Sequence, residues 1–149
     1  MSKVKKFLFA SLLTMAFALV LPHGASAETI PMLKDLQQTS ANQLKVTYDQ
    51  PVDAAKGMRP GNYWVQSLTE TTPTGIATLG MSDSVSPANA LTADKVTITP
   101  ADTTGSSFLL TFNQNIPTAK SYKLIICYVT VPNAPPYSGG NGSRTFVGK

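Results

Sequence analysis

Cysteine and histidine are almost missing from this sequence, and that scarcity excludes most familiar chemistry. One Cys, Cys127, and one His, His23, occur in 149 residues. A single cysteine rules out an intramolecular disulfide, so an apolar core must hold the fold. His23 lies in the N-terminal leader, and Glu28 to Lys149 contains no imidazole. That stretch therefore lacks the base of most hydrolase triads, the common zinc ligand and the group that would activate Cys127 as a nucleophile. No H-E-x-x-H, P-loop, dinucleotide fingerprint or S-x-x-K occurs. Charge is sparse at 13% of residues. The acids Glu28, Asp35, Asp49, Asp53, Glu70, Asp83, Asp94 and Asp102 stand singly. Nothing in their spacing marks a glycosidase pair. Asp49 with Asp53, and Asp102 with its Thr-Thr-Gly turn, read as solvated turn residues, because calcium loops carry a denser run of oxygen ligands. We expect no catalytic residue, no cofactor and no metal.

Long hydrophobic runs are also scarce beyond the N-terminus. Met1 to Lys6 carries three lysines, and Phe7 to Leu21 is an apolar run too short to span a membrane comfortably as a helix. Pro22, His23 and Gly24 break it, and Ala25-Ser26-Ala27 offers the small residues a signal peptidase reads. We expect residues 1–27 to be a secretory signal cut after Ala27, with an uncleaved anchor as the lesser alternative. Removing Lys3, Lys5 and Lys6 lowers twelve basic residues to nine against eight acids, so the mature chain carries about +1 rather than +4. Its bases are scattered and form no clustered face for nucleic acid. No lipoprotein cysteine follows the signal, and no second span or C-terminal sorting motif is present. The expected location is outside the cytoplasm: secreted, extracellular or in the cell envelope, the periplasm included.

What is abundant is Thr, Val, Ser and Asn, punctuated by Pro and Gly. Short β-prone runs occur at Met32–Gln37, Gln43–Tyr48, Asn62–Leu68, Ile76–Met81, Lys95–Thr99, Ser107–Phe112, Ser121–Val131 and Thr145–Val147. Turn signals separate them. Leu44, Val46 and Tyr48 alternate with Lys45 and Thr47, and Val96 and Ile98 alternate with Lys95, Thr97 and Thr99. Strands of this kind bury one side and wet the other. Ser82 to Ala93 reads as a loop with a helical turn near Pro87 to Leu91. The expected fold class is all-β: an antiparallel sandwich of about seven to eight strands, in one domain over residues 28–149.

One stretch echoes another. T-Y-D-Q-P-V-D-A-A-K at Thr47 to Lys56 matches T-F-N-Q-N-I-P-T-A-K at Thr111 to Lys120 without a gap. Each leaves a strand at an aromatic, passes one aliphatic residue (Val52 or Ile116) and enters a strand near a tyrosine (Tyr63 or Tyr122). We read two copies of one structural corner, with the aliphatic plugging the core and the tyrosine hydroxyl free to bond backbone. Taken with G-N-Y-W-V, K-V-T-I-T-P, S-Y-K-L-I-I and the G-G-N-G before a final T-F, these stretches resemble a bacterial Ig-like domain. The resemblance is to the kind repeated in S-layer and other cell-surface proteins, and it spans roughly Leu36 to Val147. It implies an Ig-like sandwich with a structural or adhesive role, binding proteins or itself. The Pro-rich Pro132 to Ser138 departs from the pattern.

Two features carry functional expectations. If Tyr63 and Val65 face the core, as the resemblance implies, Trp64 faces out. Tyr63, Trp64 and Tyr137 are then the aromatics of an alternative reading, a carbohydrate-binding module that takes a cell-wall glycan. The bland alternative packs Trp64 under a loop. The run Ser121 to Val131 is apolar on both faces, and Ile125, Cys127, Val129 and Val131 form the second. That face is either covered by Asn133 to Tyr137 or receives another subunit, with Glu28 to Leu36 as a donated strand. Cys127 reads as a buried inert thiol, with an interchain disulfide as the lesser alternative.

Overall fold

The structure, a computed structural model, describes residues 29–149; the expected signal, with Ala25 and Ala27, lies outside the described residues. Its strands are β1 (Leu33–Ser40), β2 (Gln43–Tyr48), β3 (Tyr63–Ser67), β4 (Val96–Pro100), β5 (Ser107–Phe112), β6 (Ser121–Cys127) and β7 (Gly140–Val147). Four form a sheet in the order β1-β2-β5-β4, and three form a second in the order β3-β6-β7. Every pairing is antiparallel. First, second, fifth and fourth strands facing third, sixth and seventh is the arrangement of a constant-type immunoglobulin sandwich. No helix among the described residues is long and apolar enough to cross a membrane.

The alternation seen in the sequence builds the core. Leu44, Val46 and Tyr48 of β2, Phe108, Leu110 and Phe112 of β5, and Tyr122, Leu124 and Ile126 of β6 are all buried in one cluster between the sheets. Each such side chain contributes about 1.5–3 kcal/mol by leaving water. β4 adds Val96 and Ile98, while Thr97 and Thr99 stay exposed.

The echoed stretches are the two connections that carry the chain between sheets, β2 to β3 and β5 to β6. β2 pairs antiparallel with β5 and β3 with β6, so the connections lie at opposite ends of the sandwich, and Val52 and Ile116 are both buried in the shared core, one toward each end. The tyrosines then diverge. Tyr63 Oη donates to Gly57 O at 2.6 Å and shares a 2.8 Å hydrogen bond with Tyr48 Oη. Burial drives the acidity of both phenols down, holding their pKa values well above the ordinary range. Tyr122 instead stacks its ring on Phe146, and its buried hydroxyl has no partner among the described residues. Tyr63→Phe leaves a carbonyl and a hydroxyl unpaired and should cost about 2 kcal/mol in urea unfolding. Tyr122→Phe removes an orphan and should stay within about 0.5 kcal/mol of the parent or stabilise it.

Elsewhere tertiary context displaces the expected elements. Ile76–Met81 is not a ladder strand. It lies along the open edge of β3 with one bridge, Gln66 to Leu79, and bonds from Thr78 N and Leu79 N to Val65 O and from Ser67 N to Leu79 O. Gly80 ends it where the chain runs against itself; a Cβ there would lie 1.8 Å from Thr71 O. The connection from β2 holds a short unexpected helix, α1 (Ala54–Gly57), capped by Asp53 Oδ1 accepting from Lys56 N at 3.0 Å. The turn expected near Pro87 is a 3-10 turn over Pro87–Asn89, closed by reciprocal Ser86 and Asn89 caps. β7 begins at Gly140 rather than Thr145, because the Gly-Asn-Gly read as a turn pairs with the end of β6.

Candidate functional site

Trp64 does not face solvent. β3 does turn Tyr63 and Val65 to the core and Trp64 to the opposite side, but that side is roofed by the long connection from β3 to β4. Trp64 is 0% exposed and packs with Leu79 and Ala90. Its Nε1 donates to Ser86 O at 2.9 Å and Asn89 Oδ1 at 3.0 Å. Gln66, two residues on, donates to Gly80 O at 3.0 Å and pins the same roof. Tyr63 is equally buried. Neither residue can present a sugar platform, which corrects the expectation drawn from strand alternation. The loop takes the apolar face because an exposed Trp64–Ile125 surface would otherwise meet water.

The four residues expected as one assembly face are also separated. β6 stops at Cys127, and Tyr128 takes a left-handed φ of 68° that breaks the alternation. Ile125 and Cys127 pack against the Trp64 cluster, whereas Val129 turns into the main core at 0% exposure. Val131 lies half-buried beside the Pro-rich segment. The cover over Ile125 is thus the β3–β4 connection rather than Asn133 to Tyr137. β6 is central in its sheet and has no free edge. Leu33–Leu36 is already paired to β2 within the chain, so it is not a spare strand. Burial raises the Cys127 thiol pKa, which disfavours the reactive thiolate.

Asn141, absent from the expected site residues, organises this end of the sandwich. It is 0% exposed; its Nδ2 donates to Pro31 O and Val129 O, both at 2.8 Å, and its Oδ1 accepts from Val129 N at 2.9 Å. An Asn flanked by glycines reads as a turn, so only its burial distinguishes it.

Tyr137 alone of the three aromatics reaches the surface, with its hydroxyl donating to Gly140 O at 3.1 Å. It walls a cleft of about 480 Å³ that also contains Lys56, Arg59, Asn62 and Tyr128. Tyr128 stands edge-on to Trp64 with centroids 6.0 Å apart, so the buried indole braces the cleft floor. Lys56 Nζ donates to Thr130 Oγ1 at 2.8 Å.

The carboxylates serve turns. Asp49 Oδ1 accepts from Met32 N at 3.0 Å, and Asp53 caps α1. Asp102 is bonded by Ser107, Thr104 and Gly105, which hold its carboxyl down at about 2. Glu70 pairs with Lys120. Among the described residues no group of three or more His, Cys, Asp or Glu gathers as a metal site.

No protein-family model matches this sequence, and no curated protein does. Solved structures do match in fold. The N-terminal part of the bacterial S-layer protein SbsC superposes with a TM-score of 0.53 at 15% identity, covering 80% of this chain and 23% of that one. A structure of surface layer protein SbsC, domains 1-6, gives 0.53 at 14% identity, covering 80% and 14%. This chain therefore shares the sandwich fold found in an S-layer protein and spans less than a quarter of the length of those neighbours.

Proposed function

We propose that this protein is a non-enzymatic structural module of the cell surface, exported by the segment at residues 1–27 and acting as a single domain that binds proteins or copies of itself. The observation carrying this reading is the match in fold to S-layer protein structures over 80% of the chain. The carboxylates' use in turns and the lack of a histidine beyond His23 favour a structural over a catalytic role. The sheet edges suggest where contact occurs. β3 is covered by Thr78 and Leu79. β1 and β7 are tied across the sandwich by Gln38 to Lys149 and Arg144 to Lys34. β4 pairs with β5 on one side and, among the described residues, has no strand on the other, so it suits strand addition. Light scattering with size exclusion on Glu28–Lys149 over a concentration series, followed by negative-stain microscopy, tests this. Oligomers that shrink with Thr97→Lys and Thr99→Lys, which charge the exposed face of the edge strand and leave its backbone bonds to β5 in place, but not with Cys127→Ser or added reductant, are expected; a monodisperse monomer throughout overturns self-assembly.

A further inference from the structure

The cleft beside Tyr137 combines features that the fold does not need. Asn62 is only 3% exposed, and its Nδ2 is used by Lys56 O at 3.0 Å. That bond fixes the amide orientation, Asn62 belongs to the cleft lining, and no hydrogen bond from the described residues reaches its Oδ1. A nearly buried acceptor is thus left for an outside donor. Two cations, Lys56 and Arg59, line the same cleft, and neither is paired with a carboxylate among the described residues. The Arg59 guanidinium makes no hydrogen bond among the described residues, so its fork is open to a carboxylate. The rings of Tyr128 and Tyr137 supply apolar faces, and Tyr128 is held rigid by its left-handed backbone and by Trp64.

We propose that this cleft binds an acidic glycan, with a sugar carboxylate on Arg59 and Lys56, a hydroxyl donating to Asn62 Oδ1 and a C–H face against the tyrosines. Hydroxyl donor, carboxylate and apolar ring face occur together on a uronic acid. An acidic peptide supplies the carboxylate but lacks the flat C–H face that two tyrosines match. The site is made of side chains outside β4, and its occupancy does not depend on self-assembly.

The test uses immobilised polygalacturonate, its neutral methyl ester and polyglutamate as probes on purified Glu28–Lys149. Retention on polygalacturonate is expected, with about tenfold weaker binding for Arg59→Gln, a similar loss for Tyr137→Ala and no change for Lys45→Gln, which removes the same charge from the other sheet. Trp64 fluorescence checks that each variant is folded. Equal losses for Arg59→Gln and Lys45→Gln would reduce the effect to net charge and overturn the site. So would equal retention on the methyl ester or on polyglutamate, or no retention at all.

Discussion

Replacing Asn141 with leucine should lower stability by about 3 kcal/mol or more, since Val129 N–H, Val129 C=O and Pro31 C=O all lose their partner in a site closed to water. For a domain of this size that is a fall in Tm on the order of 10 °C, read by thermal circular dichroism. Asn141→Asp separates the donor role from the acceptor role. Its oxygen can still accept from Val129 N, but its other oxygen faces two carbonyls. Burial and those carbonyls raise the introduced carboxyl's pKa, so the protonated form, which can donate to one carbonyl, is favoured at acid pH. The sign follows: a folded-state pKa above the unfolded one means stability present at low pH and lost as pH rises through the folded value. Asn141→Asp should therefore approach the parent near pH 4 and fall further below it at pH 7. A flat difference across that range, or a leucine variant as stable as the parent, would remove Asn141 from its place as the pin between β6, β7 and the N-terminal segment.

Trp64→Ala should be the second severe change, about 3–5 kcal/mol, the usual cost of truncating a large buried aromatic. The indole fills the space between β6 and the β3–β4 connection, and its N–H is the bond that ties that connection at Ser86 and Asn89. Trp64→Phe keeps a ring against Tyr128 but orphans the Ser86 carbonyl, and about 1–2 kcal/mol is expected. Urea unfolding measures both, and protease cleavage within residues 68–95 should rise in the alanine variant before global unfolding. Trp64 is thus a reporter of the core rather than of the surface. A loss of glycan retention in Trp64→Ala would follow from a collapsed roof and a loosened Tyr128, which is why Arg59 and Tyr137 are the residues that test the cleft. If Trp64→Ala unfolds like the parent, the indole is not buried as described.

The neighbourhood of Gly57 shows how closely the two sheets are fitted. A Cβ at Gly57 would lie 2.5 Å from the tip of the Phe108 ring, and the same glycine's carbonyl receives the Tyr63 hydroxyl. The short helix α1 is thus held from both sides, by β5 beneath it and by the first residue of β3. That packing delivers Lys56 and Arg59 to the rim of the cleft. The cation pair is positioned by core contacts rather than by a flexible loop, so Arg59 can be changed without disturbing the sandwich.

The sequence by itself determined the strands whose pattern is local. Gln43–Tyr48 and Ser107–Phe112 coincide with the structure end to end, because period-two alternation and flanking turn residues specify both face and length. The echo likewise marked the two crossings between sheets and the buried roles of Val52 and Ile116, since a core plug must be aliphatic wherever the chain makes that corner. Only the tertiary structure decided the rest. Trp64, Ile125 and Cys127 sit on an outward face of a half-exposed sheet. Whether such a face is wet or roofed depends on the long β3–β4 connection, which has no periodicity of its own. Tyr128's left-handed backbone sent Val129 into the core, and a tyrosine gives no local signal for that turn. Asn141 and Asn62 look like ordinary loop polar residues until long-range packing buries them. The cleft joins Lys56 and Arg59 to Tyr128 and Tyr137, which stand far apart along the chain. Strand pairing between β3 and β6 makes that juxtaposition, and no pattern along the chain reveals it.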